Sequence, residues 1–119
     1  QAQRDELPSA KSRVELLKAI MSSGESGGGG KGKKAGGQPP QVTIVQGETG
    51  CGKTTQVGQF IIDSDLASRV VVTQPRRVAA SSVAQRVAEE RGERVGEGVV
   101  GFRVRGESKA HTQRCRLLF

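Results

Sequence analysis

The sequence predicts an α/β fold with a parallel sheet and flanking helices. Two observations carry this prediction. Short β-branched runs stand at residues 42–45 and 70–73, and a helical pattern of apolar residues follows each run. A glycine-rich loop separates the first run from the first of these helices. This strand, helix, strand order is typical of parallel sheets, and a right-handed crossover is expected.

The loop itself is the strongest chemical signal. It matches the phosphate-binding pattern G-x-x-x-x-G-K-[ST] through Gly47, Gly52, Lys53 and Thr54. Glycine lets backbone N–H groups wrap an anion, and the helix predicted over about residues 53–62 adds unpaired donors at its N-terminus. The Lys53 ammonium suits the β- and γ-phosphates, and the Thr54 hydroxyl suits Mg²⁺. The candidate phosphate-binding residues are Gly47, Glu48, Thr49, Gly50, Cys51, Gly52, Lys53 and Thr54.

Two similar patterns elsewhere in the chain do not have the required context. Residues 27–34 have correctly spaced glycines and lysine, but Lys34 stands where serine or threonine is needed and no apolar strand precedes. Residues 96–101 match G-x-G-x-x-G, yet the strand follows these glycines instead of preceding them. We therefore predict a turn there.

Composition excludes several classes of protein. The chain has 119 residues, enough for one domain, and with 3% aromatic residues its core must consist of aliphatic side chains. No apolar run approaches the length of a membrane span, and the first residues do not resemble a signal peptide, so an intracellular protein is expected, in the nucleus or the cytoplasm. Cys51 and Cys115 are not expected to form a disulfide, and His111 alone cannot form a zinc site.

Positive charge is concentrated in the second half of the chain. The net charge is +7, and residues 69–119 contain 11 basic residues, ten of them arginine, against 5 acidic residues. An arginine-rich half beside a phosphate-binding loop predicts a second, polymeric anionic ligand. Arg91 and Arg94 lie among glutamates and are expected to belong to a solvated helix face.

The region before the loop divides into two parts. Residues 1–22 contain one amphipathic helix, which begins near Pro8 or, from the capping-box pattern, at Ser12. Its predicted apolar face comprises Ala10, Val14, Leu17 and Met21, with Ile20 beside them. Residues 23–40 are rich in glycine and lysine and predict a flexible insertion. Residues 41–119 form the nucleotide-binding part.

The region after the loop supplies the rest of the sheet. Gly58 weakens the middle of the first helix, and residues 70–73 predict a second buried strand that Pro75 ends. Arg76 and Arg77 follow at the carboxyl end of this strand, where open α/β sheets bind ligands. A helix reaching about residue 91 buries a face of four residues, and strands follow over residues 99–105 and 114–119. The four buried residues are Ala80, Val83, Ala84 and Val87.

Three ordered segments resemble the first RecA-like domain of the DEAH-box (DExH) RNA helicases of superfamily 2. Residues 47–56 resemble motif I of that family, and residues 73–90 resemble motif Ia with its helix. Residues 100–105 resemble the Val-Gly-Tyr-x-(Val/Ile)-Arg segment. The resemblance covers about residues 41–119, and residues 7–21 resemble the helix that often precedes motif I.

The resemblance implies roles for individual residues. Lys53 and Thr54 would hold the phosphates and Mg²⁺ of ATP, Thr55 would lie near the α-phosphate, and Arg86 would stack on the nucleobase. Three further arginines would contact the RNA backbone without reading its sequence: Arg76, Arg77 and Arg105. The implied function is ATP-dependent RNA unwinding or remodelling of RNA–protein complexes.

Departures from the family pattern limit what this segment would do alone. Gly58 stands where the family usually has proline, and Phe102 stands where it has tyrosine. The sequence contains no Asp-Glu-x-His segment, no Ser-Ala-Thr motif and no second RecA-like domain, so it is expected to be an incomplete domain without turnover of its own. The alternatives are another P-loop ATPase, such as a nucleotide kinase, and a catalytically inactive module that binds nucleotide or RNA.

Overall fold

The computed structural model describes residues 12–21 and 42–119. Within them three helices and four strands follow one another along the chain. The helices are α1 (Arg13–Met21), α2 (Lys53–Ser64) and α3 (Arg77–Glu90). The strands are β1 (Val70–Val71), β2 (Val100–Val104), β3 (Glu107–Lys109) and β4 (Leu117–Leu118).

The four strands form one sheet in the order β1-β4-β2-β3. β4 lies between β1 and β2 and is parallel to both, with Leu117 opposite Val70 on one side and Val100 on the other. β3 pairs antiparallel with β2 at the far edge. The predicted α/β class with a largely parallel sheet is therefore confirmed, because strands distant in sequence meet through helical connections.

The core lies between α3 and the sheet. Ala84, Val87 and Ala88 of α3 are completely buried against Val100 and Leu117. Small alanines on this face let the helix approach the strands closely, and each large aliphatic side chain removed from water stabilises the fold by about 1.5–3 kcal/mol. The predicted buried face is confirmed for Ala80, Ala84 and Val87, while Val83 packs at the edge of the core.

Gly58 has a packing role that the sequence did not indicate. A Cβ atom at this position would lie 2.7 Å from Leu117 Cδ1, closer than side-chain carbon atoms approach. Gly58 is buried, and the Leu117 side chain of β4 fills the space that a side chain at this position would need. The helix α2 runs unbroken through this glycine, two residues beyond the predicted end. Gly58 therefore permits close helix–sheet contact, and its predicted cost to the helix stays a prediction.

The run at residues 42–45 is not a strand in the structure. Val42 is 80% exposed and Ile44 89% exposed, and no strand of the described sheet pairs with this segment. β-branched residues favour extended backbone locally, but a strand also needs a neighbour to accept its N–H and C=O groups. The prediction of a buried first strand is wrong here because that neighbour is missing from the described residues. The strand predicted at residues 70–73 comprises only Val70 and Val71 in the structure, and the Val71 side chain is exposed.

The first helix packs on α2, and its predicted apolar face is confirmed in part, since Leu17 and Ile20 are half-buried. Arg13 lies over the ring of Phe60 at 5.3 Å, and the Ser64 hydroxyl donates a hydrogen bond to the Met21 sulfur at 3.2 Å. Val14 and Met21, both assigned to the apolar face, are exposed. A pattern with period 3.6 defines a stripe but not the surface that the stripe meets. Ala10, Pro8 and the predicted insertion at residues 23–40 lie outside the described residues.

The hairpin of β2 and β3 adds an element that the sequence analysis missed. Val104 pairs with Glu107 across the two-residue turn formed by Arg105 and Gly106. β3 is fully exposed and polar, so it had no apolar alternation to reveal it. Residues 96–99 form turns before β2, as predicted for the second glycine pattern. Among the described residues, no helix is long and apolar enough to cross a membrane.

Candidate nucleotide-binding site

The glycine-rich loop, residues 47–52, leads directly into α2. Gly50 and Gly52 have φ angles of 83° and 88°, in the left-handed region that strains other residues. Gly52 is the N-cap of α2, and no side chain caps the helix. The backbone N–H groups of the first turn are therefore not bonded to a capping side chain, and such a helix N-terminus favours an anion.

Lys53 folds its side chain back onto the loop. Its ammonium group donates hydrogen bonds to the carbonyl oxygens of Gly47 at 2.6 Å and Glu48 at 2.7 Å, and lies 3.5 Å from Cys51 Sγ. These contacts hold a positive charge inside the concave side of the loop. The same contacts tie the start of the loop to its end, six residues later in the chain.

A cleft of about 490 Å³, called here the nucleotide cleft, lies beside the loop at the start of α2. Thr54 is exposed there, and the Thr55 hydroxyl donates to the Gly52 carbonyl at 3.3 Å. Arg86 of α3 lines the same cleft although it is distant in sequence. The structure thus brings together Arg86 and most of the loop residues that the sequence singled out. The lining residues are Thr49, Gly50, Gly52, Lys53, Thr54, Thr55, Arg86 and Glu90.

The other side of the loop faces α1. A cleft of about 410 Å³ there is lined by Gly47, Glu48 and Cys51 of the loop and by Leu16 of α1. The helix that precedes the loop in sequence therefore lines the same cleft as the loop. Cys51 and Cys115 are free thiols, each half-buried.

Two of the three arginines predicted to bind RNA line a separate cleft of about 400 Å³, called here the arginine cleft. It lies where β1, β2 and β4 end, beside the first turn of α3. Arg77 and Arg105 line it, and Arg77 Nη2 donates to the Arg105 carbonyl oxygen at 2.7 Å. Arg76 is the exposed N-cap of α3 next to them. Arg103 also lines this cleft and was not singled out from the sequence.

A buried polar network joins the nucleotide cleft to α3. Glu90 Oε2 accepts hydrogen bonds from the side-chain amides of Gln56 at 2.9 Å and Gln59 at 3.0 Å. Glu90 Oε1 accepts from Arg86 Nε at 3.0 Å. Gln56 and Gln59 are completely buried. Sequence reasoning missed this network, although two signals were available: glutamines three residues apart in α2, and arginine and glutamate four apart in α3.

The pKa of Glu90 reflects this network. Burial alone would raise the pKa of a carboxyl group. Hydrogen bonds from Gln56, Arg86 and Gln59, together with the positive charge of Arg86, outweigh burial and lower the pKa of Glu90 below its ordinary value. The group is therefore a carboxylate at neutral pH.

The described residues offer few side chains that could bind a metal ion together. Across residues 12–21 and 42–119, no group of three or more His, Cys, Asp or Glu side chains could hold a metal ion. The exposed Thr54 hydroxyl at the start of α2 is a suitable single ligand for Mg²⁺, which commonly keeps water and phosphate oxygens as its other ligands.

Comparison with known proteins finds relatives that are named as ATP-dependent helicases. No protein-family profile matches the chain. The chain is 41% identical over 122 residues to the DExH-box ATP-dependent RNA helicase DExH1 of Arabidopsis thaliana, which covers 98% of this chain and 10% of that protein. It is 43% identical to DExH3 of the same organism, over 98% of this chain and 9% of that protein.

A third relative is human. The chain is 49% identical over 86 residues to the ATP-dependent DNA/RNA helicase DHX36 of Homo sapiens, over 66% of this chain and 8% of that protein. The chain thus spans about a tenth or less of the length of these curated relatives. The similarity extends over nearly all of this sequence, including the loop and the helix that carries Arg86. The chain belongs to the DExH/DEAH-box family of ATP-dependent RNA helicases.

Proposed function

We propose that this segment is the part of an ATP-dependent RNA helicase that binds ATP with Mg²⁺ and contacts the RNA backbone. One observation carries the proposal: the glycine-rich loop and Arg86 line one cleft, although more than 30 residues separate them in the chain. A triphosphate needs backbone donors and a cation, while a nucleobase needs a flat partner, and this cleft offers both. The relatives are named ATP-dependent helicases, which supports ATP as the nucleotide.

Each residue of the nucleotide cleft has a proposed role. The N–H groups of residues 49–54 and the Lys53 ammonium hold the phosphates, and Lys53 exchanges its carbonyl partners for phosphate oxygens. Thr54 contributes its hydroxyl to Mg²⁺, which neutralises phosphate charge, and Thr55 lies near the α-phosphate. Arg86 stacks its guanidinium plane on the base.

RNA is the proposed ligand of the arginine cleft. Arg77 and Arg105 are exposed there and Arg76 is exposed next to Arg77, and guanidinium groups bind phosphodiesters well because their donors form a planar fork. Phosphate contacts carry no sequence information, so binding is expected to be independent of base sequence. The names of the relatives, RNA helicase and DNA/RNA helicase, support a nucleic-acid ligand.

The proposal is tested with Lys53→Ala in the full-length protein. We expect RNA-stimulated ATPase and unwinding to fall together by about 10²–10³-fold, since a positioned charge at the reacting phosphates is lost. Lys53→Arg should not restore activity, because a planar fork does not replace a compact ammonium. Lys109→Ala removes an exposed lysine of β3 that pairs only weakly with Glu107 at 3.8 Å, and it should leave both activities unchanged.

ATPase activity of Lys53→Ala at the wild-type rate would remove the loop from the mechanism. ATP binding with no turnover in the wild-type full-length protein would instead favour the inactive binding module. Phosphate release, measured with and without single-stranded RNA, separates these results.

A further inference from the structure

Glu90 is the point where three side chains of two helices meet. Its side chain is 7% exposed, and both of its oxygens accept hydrogen bonds. One oxygen receives the amides of Gln56 and Gln59, which belong to α2, the helix that begins in the phosphate-binding loop. The other receives Arg86 Nε, one turn earlier in α3. A single carboxylate thus links Arg86 to the helix that follows the loop.

The network requires an ionised carboxylate. The donors are amide NH₂ and guanidinium groups, and the two glutamine NH₂ groups also bond to Thr55, at its hydroxyl and at its carbonyl. A carboxylate is acceptor-only, so it matches three donors without any conflict. An amide or a protonated carboxyl group would turn one donor toward another donor.

Arg86 is the exposed member of the network. Its side chain is 59% exposed, whereas the Glu90 side chain is nearly buried. The guanidinium therefore lies at the surface of the nucleotide cleft and is bonded to a partner beneath that surface. A free arginine samples many rotamers, and stacking on a planar ligand needs one of them. The bond from Nε to Glu90 fixes the side chain near its terminal group, so the guanidinium plane is oriented before a ligand arrives.

We propose that Glu90 is a positioning residue that fixes the Arg86 guanidinium relative to the phosphate-binding loop, and so sets how strongly the base of the nucleotide contributes to binding. The inference rests on the proposed function, because it takes the cleft as the ATP site and Arg86 as the base contact. Glu90 lines the same cleft with a nearly buried side chain, and in this proposal it acts on the nucleotide through Arg86.

The alternative is a purely structural role in which Glu90 only holds α2 against α3. Nucleotide selectivity distinguishes the two roles. A distorted helix pair would displace the loop and weaken the binding of every ligand that carries phosphates. A misplaced Arg86 would weaken the binding only of ligands that have a base. Comparison of ATP with inorganic tripolyphosphate, which has phosphates but no base, therefore isolates the positioning role.

The experiment measures binding of Mg-ATP and Mg-tripolyphosphate to the full-length protein and to its Glu90→Gln, Arg86→Ala and double variants. We expect Glu90→Gln to weaken ATP binding by about three- to tenfold, the size of a lost guanidinium stack. The affinity for tripolyphosphate should change by less than about twofold. Arg86→Ala should have the same pattern, and the double variant should lose no more than either single one. Glu89→Gln is the matched control, since it makes the same charge change at the next, exposed position.

A second variant protects the test against misfolding. Glu90→Asp keeps the charge that the buried amides need, but its side chain is one methylene shorter and cannot reach both sets of donors. If Glu90→Gln fails to fold, Glu90→Asp should still weaken ATP and spare tripolyphosphate.

Several outcomes would overturn the proposal. Equal weakening of both ligands would make Glu90 structural, and additive losses in the double variant would separate it from Arg86. Normal ATP affinity of Arg86→Ala with intact tripolyphosphate binding would remove the base contact but leave the phosphate-binding loop. Failure of the wild-type protein to bind either ligand would overturn the proposed function itself.

Discussion

At the scale of single residues, the arginine cleft shows how separate motifs meet. The guanidinium of Arg77 donates to the backbone carbonyl of Arg105, a residue 28 positions later in the chain. Both side chains are exposed, and Arg76 precedes them at the N-cap of α3. Three arginines from two sequence motifs therefore occupy one region where parallel strands end. Such a group of exposed positive charges suits a phosphate backbone better than a base edge.

Arg77→Ala should weaken RNA binding of the full-length protein by a similar factor for unrelated single-stranded sequences. We expect the slope of log affinity against log salt concentration to fall by about 0.7, since one phosphate contact fewer releases fewer counterions. The measurement is titration of labelled homopolymer and mixed-sequence RNAs over a series of salt concentrations.

Arg94→Ala is the control for this prediction. Arg94 is 85% exposed and has only a weak contact with Glu97 at 4.0 Å, so its loss should change little beyond net charge. An altered preference between RNA sequences in Arg77→Ala, with the salt slope intact, would make Arg77 a base reader.

At the scale of elements, the contact of α2 with β4 depends on the absence of one side chain. Gly58 lies in the sixth position of α2, and Leu117 of β4 fills the space beside it. The Leu117 side chain is completely buried. Helix propensity favours alanine over glycine by about 1 kcal/mol, whereas overpacking a filled core costs about 1–3 kcal/mol. The packing effect is expected to exceed the propensity effect.

Gly58→Ala should therefore destabilise the contact of α2 with the sheet by a net amount of about 1 kcal/mol. Hydrogen exchange of the full-length protein, followed in peptides that cover α2 and β4, should become faster in both elements. Ser82→Ala, at an exposed position of α3, serves as control and should leave these peptides unchanged. Slower exchange in Gly58→Ala would show that helix propensity dominates.

At the scale of the whole molecule, α3 connects the two clefts. Its first residue, Arg77, lines the arginine cleft, and Arg86 and Glu90 line the nucleotide cleft. The two arginines are nine positions apart in the helix, a distance of about 14 Å along the axis. The face of α3 between them is packed on the sheet, with Ala84 and Val87 completely buried. One packed helix thus contributes residues to both clefts.

The isolated polypeptide of residues 1–119 should bind ATP weakly and turn it over negligibly. It contains the phosphate-binding loop, but its sequence has no Asp-Glu-x-His segment to hold Mg²⁺ and activate water. The measurement is phosphate release with excess ATP and single-stranded RNA. Turnover at about 1 per second or faster, an ordinary enzymatic rate, would contradict the prediction. The Lys53→Ala polypeptide gives the background.

Much of the fold follows from local patterns. Glycine spacing, apolar periodicity and β-branched runs predict the loop, the start of α2 at Lys53, the end of α3 near residue 91 and the approximate positions of β2 and β4. These features depend on residues close in sequence, whose preferred backbone angles and apolar faces can be predicted without knowing which other segment they contact. The arginines at the end of β1 were predictable for the same reason, since a strand followed by proline marks its own carboxyl end.

Tertiary structure alone decided the rest. It left residues 42–45 without a partner strand in the described part of the chain, gave Gly58 its role against Leu117, and joined Gln56 and Gln59 to Glu90 across more than 30 residues. Sequence shows that a residue is polar or small, but not which distant group it meets. The physical reason is that strand pairing, close packing and buried hydrogen bonds are properties of two chain segments together, and each segment alone leaves several partners possible.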